Sequence, residues 1–166
     1  MIFLKKTIVL VILALLVLIL CKNKQEMITI PNNSIRIRII ANSNSQSDIL
    51  EKLKIKDEVE KQIYKLLSGV KDINEARNII ELNKDKLNIS VENNISYGYN
   101  YFPRKVYKNI IYESGMYESL VITLGSGKGD NFWCVLFPPL CLLEENDTTS
   151  DVEYSFFVKE LLNKYK

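Results

Sequence analysis

Apolar and polar residues alternate most regularly in the segment SIRIRIIA, Ser34–Ala41. Successive side chains of a strand point to opposite faces of a sheet, so a period of two indicates a strand with one buried face. Two sets of side chains result, with Ile35, Ile37 and Ile39 on one face and Arg36 and Arg38 on the other. The segment is therefore predicted to be a half-buried strand.

The polar loop NSNSQSD, Asn42–Asp48, separates this strand from a segment whose apolar residues recur at steps of three or four. That period predicts an amphipathic helix from Asp48 to about Leu67. Ser45 lies three residues before Asp48, a spacing typical of a helix start, and Ser68-Gly69 is typical of a helix end.

A second amphipathic helix is predicted to begin near Asp72, with Glu75 three residues later. Its pattern fades somewhere in Leu87–Ile95. The apolar stripes of both helices are interpreted as core-facing rather than membrane-binding, because a domain of this size needs them inside.

Three later segments have strand-like patterns. Tyrosines alternate in Ile95–Tyr107, and the apolar runs Met116–Leu124 and Asn131–Phe137 have the length of strands. The glycine-rich GSGKGD, Gly125–Asp130, is predicted to be a hairpin loop joining the last two strands. The tail Asp151–Lys166 is compatible with either a strand or a short helix.

The predicted order of elements, β-α-α-β-β-β, defines a single α+β domain over residues 35–166. We expect two layers: a mainly antiparallel sheet with two helices on one face, and the second face of the sheet exposed. The polar residues 22–34 are predicted to be a linker.

The N-terminal residues 1–21 combine Lys5 and Lys6 with an uncharged apolar run, Thr7–Cys21. This layout is typical of an export signal. As a helix the run spans about 22 Å, less than the roughly 30 Å of a bilayer core, and no small-x-small cleavage pattern ends it. A cleaved signal and an uncleaved membrane anchor are both compatible with the sequence. In either case the domain is predicted to be exported.

The composition argues against several classes of function. No histidine is present, which removes the commonest general base and most zinc sites. Without Lys5 and Lys6, 20 of the 22 basic residues remain against 20 acidic ones, so no basic field favours nucleic acid. We predict a protein that is not an enzyme and has no catalytic, cofactor-binding or metal-binding residues.

The stretch GSGKGDNFWCVLFPPLC, Gly125–Cys141, concentrates the unusual residues. A P-loop would need glycine in place of Ile122 and a hydroxyl in place of Gly129, so phosphate binding is disfavoured. Cys134 and Cys141 lack the C-x-x-C spacing of redox centres. As an even pair in an exported domain they are predicted to form a disulfide, with two buried free thiols as the alternative.

The last strand also has an aromatic pattern. Alternation predicts that Phe132, Cys134 and Leu136 face one way and Trp133, Val135 and Phe137 the other. Trp133 on an exposed face would suit a protein contact, because tryptophan is enriched among interface anchors. Packing in a core explains the same pattern equally well.

Three segments resemble the stage II sporulation protein R family. They are RIIANSNSQSDILEKLKIKDEV (Arg38–Val59), YFPRKVY (Tyr101–Tyr107) and SGMYESLVITLGSGKGDNFWCVLFPPLC (Ser114–Cys141). The family's typical form has a G-x-G-x-G turn, Asn-Trp-Trp-Cys and Phe-Pro-Pro-Leu-Cys. Phe132 lies where the family usually has tryptophan, and Val121 where it has arginine.

The resemblance implies a signalling protein made in the forespore and exported into the space between the two membranes. It would activate stage II sporulation protein GA, a membrane-embedded aspartic protease of the mother-cell membrane that processes pro-sigma-E. The Asn42–Ser45 loop and Asn131–Cys141 would form the receptor face, with candidate contacts at Asn42, Ser43, Asn131, Trp133, Phe137, Pro138 and Pro139. Asn42 and Ser43 are equally typical of caps and turns.

An alternative of another class is an exported cell-envelope enzyme or redox protein that uses Cys134 and Cys141. A free thiol of low pKa would favour this alternative, whereas a stable disulfide would favour the signalling hypothesis.

Overall fold

The structure, a computed structural model, describes residues 27–141 and 150–165, together with Lys6, Ile8 and residues 11–13. Most of the predicted export segment (1–21) and part of the predicted linker (22–34) lie outside the described residues. Among the residues that are described, no helix has the length and apolar character needed to cross a bilayer.

Seven strands and three α-helices make up the described fold. The strands are β1 (Ile28–Thr29), β2 (Ile35–Ile40), β3 (Asn93–Phe102), β4 (Lys105–Tyr107), β5 (Ile110–Tyr112), β6 (Gly115–Leu124) and β7 (Asn131–Phe137). The helices are α1 (Gln46–Leu67), α2 (Ile73–Asn83) and α3 (Asp151–Lys164), with a 3-10 turn at Lys84–Lys86.

The helix boundaries follow from local hydrogen bonds. The Ser45 side chain accepts a hydrogen bond from the Asp48 amide at 3.2 Å, which caps α1 two residues earlier than predicted. Asp72 caps α2 through the amides of Asn74 and Glu75. The ambiguous tail is a helix, α3, whose cap is Ser150.

The main sheet has the strand order β3-β6-β2-β7. Strand β2 runs parallel to β6 and antiparallel to β7, and β3 runs antiparallel to β6. A second sheet, β1-β5-β4, also contains one parallel and one antiparallel pair. The α+β class is confirmed, but the second sheet was not predicted, because its strands of two or three residues are too short to show a period.

The predicted hairpin between β6 and β7 is wrong, since β2 lies between these two strands. The loop Gly125–Asp130 instead passes across the end of β2. Sequence proximity favours pairing of neighbouring strands, but here β2 takes the position between β6 and β7.

Two hydrophobic clusters lie on the two faces of the main sheet. The larger packs Ile35, Ile37 and Ile39 against α1 and α2. The smaller joins Val135 to the second sheet and to Tyr154 and Val158 of α3. The expectation of an exposed second face is therefore wrong at Val135, which is fully buried.

Candidate functional site

The loop Gly125–Asp130, which directly precedes the predicted Asn131–Cys141 segment, lies on the predicted Asn42–Ser45 loop at one end of the main sheet. The Ser126 amide donates to the Asn42 side-chain oxygen at 2.8 Å, and the Lys128 amide donates to the Asn42 carbonyl at 3.0 Å. The Asp130 amide donates to the side-chain oxygen of Asn44 at 2.7 Å. The main-chain amides of the loop after β6 thus hold it on the loop after β2, and two of the three donate to asparagine side chains.

Two glycines permit this close approach. Gly125 has φ +50°, a conformation that favours glycine, and a Cβ there would lie 2.5 Å from the Asn42 side-chain oxygen. A Cβ at Gly129 would overlap the carbonyl of Ser43. The glycine-rich sequence therefore serves loop packing rather than phosphate binding.

Asn42 and Ser43 also hold the start of α1. The Ser43 hydroxyl donates to the Asp48 carboxylate at 2.6 Å, and the Asn42 amide donates to it at 3.0 Å. These hydrogen bonds, that of Ser43 above all, lower the pKa of Asp48. Both side chains are half-buried. They have the turn and cap roles that the sequence allowed, and their role as receptor contacts stays a prediction.

Asn131 and Trp133 lie beside Arg38 on the side of the sheet away from α1. The Arg38 Nε donates to the Asn131 side-chain oxygen at 3.0 Å, and the Arg38 guanidinium carbon lies 4.7 Å from the Trp133 ring centroid. The Trp133 ring packs edge-on against Phe102, with centroids 4.8 Å apart. Trp133 is half-buried, so it combines core packing with an accessible edge.

Phe137 departs from the predicted alternation. A register shift between β2 and β7 pairs Arg36 with Val135 but Ile35 with Phe137, so one extra residue enters β7. Because of this shift, the Phe137 side chain packs in the cluster with α1 and α2, where it is 3% exposed. Pro138, after a cis peptide bond, is also buried, whereas Pro139 is half-buried. Among these three residues Pro139 offers the most surface to a partner.

Cys134 and Cys141 form the predicted disulfide, with Cα atoms 5.6 Å apart. The turn at Pro138-Pro139 brings the chain back, and the Leu140 amide donates to the Val135 carbonyl at 3.2 Å. Both cysteines are buried, which leaves the redox alternative without an accessible sulfur. The Glu60 carboxylate lies near them, and the three groups have the spacing of metal ligands. A disulfide offers no thiolate, so the oxidised pair does not fit a metal.

Arg36 is the functional candidate that sequence reasoning missed, because arginine on an alternating strand is normally exposed. It is 2% exposed, and its guanidinium carbon lies 3.3 Å from the Tyr117 ring centroid and 5.2 Å from that of Phe102. Burial lowers the pKa of Arg36, although Tyr117 and Tyr112 oppose the shift. Arginine still keeps its charge at neutral pH.

Comparisons with known proteins identify the family of this chain. Residues 31–147 match the family model described as stage II sporulation protein R. The chain is 38% identical over 136 residues to stage II sporulation protein R of Bacillus subtilis (strain 168), covering 74% of this chain and 60% of the relative. The chain thus spans about three fifths of that relative. No solved structure matches. The match over most of the described domain establishes that the chain belongs to the stage II sporulation protein R family.

Proposed function

We propose that the chain is an exported signalling protein of sporulation that activates a membrane-embedded aspartic protease, stage II sporulation protein GA, in the mother-cell membrane. The protease then processes pro-sigma-E. The chain acts from the space between the two membranes, either secreted or held by its N-terminal segment. It works by binding rather than by chemistry of its own.

The observation that supports the proposal is the meeting of the three family-like segments at one surface. Arg38 of the first segment contacts Asn131 and Trp133 of the third. Phe102 of the second packs on Trp133. Residues far apart in the chain thus lie together, with the half-buried Arg38, Asn131 and Trp133 beside the buried Phe102, and a partly exposed tryptophan among them suits a protein contact.

Activation by binding requires a difference in affinity. The surface must bind the active state of the protease more tightly than the inactive state, because a ligand that binds both equally shifts nothing. A tenfold preference corresponds to about 1.4 kcal/mol. One partly exposed tryptophan anchor such as Trp133 supplies a contribution of this size.

A reconstitution in a non-sporulating bacterium tests the proposal. The full chain is expressed with the protease and a tagged pro-sigma-E, and the shortened sigma factor is measured by immunoblot. We expect processing with the full chain and none when residues 1–21 are deleted. Processing in the absence of the chain, or none with folded chain shown outside the cell membrane, would contradict it.

Two substitutions localise the activity. Trp133→Ala is expected to reduce processing at least about tenfold. Leu82→Ala is the matched control, because Leu82 is 73% exposed on α2 and lies outside the proposed face. Full processing by a folded Trp133→Ala variant would remove this residue from the receptor face.

A further inference from the structure

A cavity of about 180 Å³ adjoins the proposed receptor face. Main-sheet residues form one part of its lining, and residues from β4 and β5 form another. Those that matter here are Arg36, Phe102, Lys105, Tyr107, Tyr112 and Trp133. Four of these residues are aromatic, and the two charged ones are cations.

The cavity favours a negatively charged occupant. Arg36 and Lys105 both line it, and no acidic side chain does so in the part of the chain that the structure describes. Glu113 follows the lining residue Tyr112 in the chain. Its carboxylate forms an ion pair with Arg104, with Oε2 3.5 Å from Nε. An anion entering the cavity would therefore meet the Arg36 guanidinium, and none of the described lining residues is acidic.

Arg36 has hydrogen-bonding capacity left over. Its Nε and Nη2 are buried and have no hydrogen-bond partner in the described ranges 27–141 and 150–165. Buried guanidinium donors are costly unless they are paired. The planar fork of Arg36 matches the two oxygens of a carboxylate, which would pair with these solvent-inaccessible nitrogens once the side chains around them shift.

The volume of the cavity and the aromatic rings that line it indicate which kind of anion it can hold. Small-molecule sites typically measure about 300–1,000 Å³, so 180 Å³ suits a single side chain rather than a cofactor. The rings of Phe102 and Trp133 would contact the methylene stem of such a side chain. The occupant must also come from a protein if Trp133 belongs to a protein-binding surface.

We propose that this cavity binds an acidic side chain, Asp or Glu, of the protein that the chain activates. The proposal rests on the proposed function and deepens it by naming the chemistry that the receptor presents. Arg36 pairs with the carboxylate, and Phe102 and Trp133 enclose the stem.

Trp133 also provides the readout, because the chain contains one tryptophan. The full-length chain, purified in detergent micelles, is titrated with N-acetyl-Phe-Glu-amide while tryptophan fluorescence is recorded. The neutral N-acetyl-Phe-Gln-amide is the matched ligand. We expect saturable binding of the glutamate peptide, at least about tenfold tighter than that of the glutamine peptide.

Arg36→Met removes the charge and keeps an apolar side chain of similar length. It is expected to abolish the preference for glutamate, and Arg36→Lys is expected to restore part of it. Lys61→Met, on the exposed surface of α1, is the control for net charge and leaves the preference unchanged. If Arg36→Met does not fold, the comparison of the two peptides on the wild-type chain still decides the question.

Equal binding of the two peptides, or no binding of either, would overturn the proposal. Binding of inorganic phosphate as tight as that of the glutamate peptide would identify a general anion site, and binding of glycerophosphoglycerol, the soluble headgroup of phosphatidylglycerol, without binding of the glutamate peptide would identify a lipid-headgroup site. Both results also overturn it. Since the titration contains no protease, its outcome is separate from that of the processing assay.

Discussion

The two faces of the main sheet differ in how their charges are paired, as Arg77 and Arg36 show. On the face covered by α1 and α2, Arg77 forms two hydrogen bonds with the Glu118 carboxylate, at 2.6 and 2.8 Å, and Tyr97 donates to the same group. On the opposite face, Arg36 is stacked on Tyr117, and two of its nitrogens lack partners within the described residues.

This difference separates stability from recognition. The helix side has an apolar centre and charges at its margin that are paired within the chain. The opposite side combines cations with aromatic rings and keeps hydrogen-bonding capacity unused. The first face therefore mainly stabilises the fold, whereas the second face has its own hydrophobic cluster and, on the proposal above, binds the partner through the part around Arg36 and Trp133. Substitutions on the two faces should therefore differ in how much they lower the free energy of unfolding and in whether they affect binding.

The largest effect is expected for Ile37→Ala in the centre of the helix side. Ile37 is fully buried and packs in the cluster with α1 and α2. Deleting it leaves a cavity, so the free energy of unfolding should fall by about 2–5 kcal/mol, measured by urea denaturation. Leu82→Ala, at a highly exposed position, should change it by less than about 0.5 kcal/mol. Similar values for the two variants would contradict the assignment of the core.

Removal of the disulfide is expected to cause the next largest loss of stability. The double substitution of Cys134 and Cys141 by alanine is expected to reduce the free energy of unfolding by about 2–3 kcal/mol in the chain-entropy model, because the closed loop is short. Reduction with dithiothreitol should destabilise the wild-type chain and leave the double variant unchanged. Peptide mapping that found both thiols free in exported protein would disprove the cross-link.

A smaller effect is expected for Glu118→Gln, which weakens the paired charges at the margin of the helix side. Burial alone would raise the pKa of Glu118, but hydrogen bonds from Arg77 and Tyr97 lower it overall. The loss at neutral pH should be about 1–2 kcal/mol. Glu113→Gln, in an exposed pair with Arg104, should cost less than about 0.5 kcal/mol.

The pH dependence of the stability difference between wild type and Glu118→Gln is a second test of this pairing. A carboxylate whose pKa is lower in the folded state stabilises the fold above its unfolded-state pKa. That contribution is lost as the pH falls through the lower folded-state value. The difference between wild type and variant should therefore shrink in acid, and a difference that grew below pH 4 would contradict the pairing.

The smallest change in stability is expected for Arg36→Met. The variant loses a cation–π contact of about 1–2 kcal/mol but also removes a buried charge that is only partly compensated. These terms oppose each other, so the free energy of unfolding should stay within about 1 kcal/mol of wild type. Arg77→Met, which leaves Glu118 without its ion pair and with the Tyr97 hydrogen bond, should cost more. A larger loss from Arg36→Met would make Arg36 a structural residue.

Local features of the fold were predictable from the sequence. The alternating isoleucines defined β2, and the Ser45–Asp48 spacing placed the start of α1 within two residues. The cysteine pair indicated the disulfide. Each of these depends on residues close together in the chain or on a rule about cysteine, so a single sequence contains the information.

Features that depend on distant partners were not predictable in the same way. The alternation of β7 failed at Phe137 because a register shift against β2 reverses the pattern. Arg36 was expected on an exposed face because its cover, formed by Phe102 and Tyr117, comes from much later in the chain. The segment Tyr101–Tyr107, quoted for its family resemblance, was the one signal that could have pointed to Phe102.

The central position of β2 has a consequence for the way the protein is made. This strand leaves the ribosome early, yet both of its neighbours, β6 and β7, belong to the second half of the chain. Until Phe137 has been synthesised, β2 has at least one bare edge, and such non-local pairing is slow, roughly milliseconds to seconds. A chain that ended before β7 would therefore lack Asn131 and Trp133 and would leave one edge of β2 unpaired.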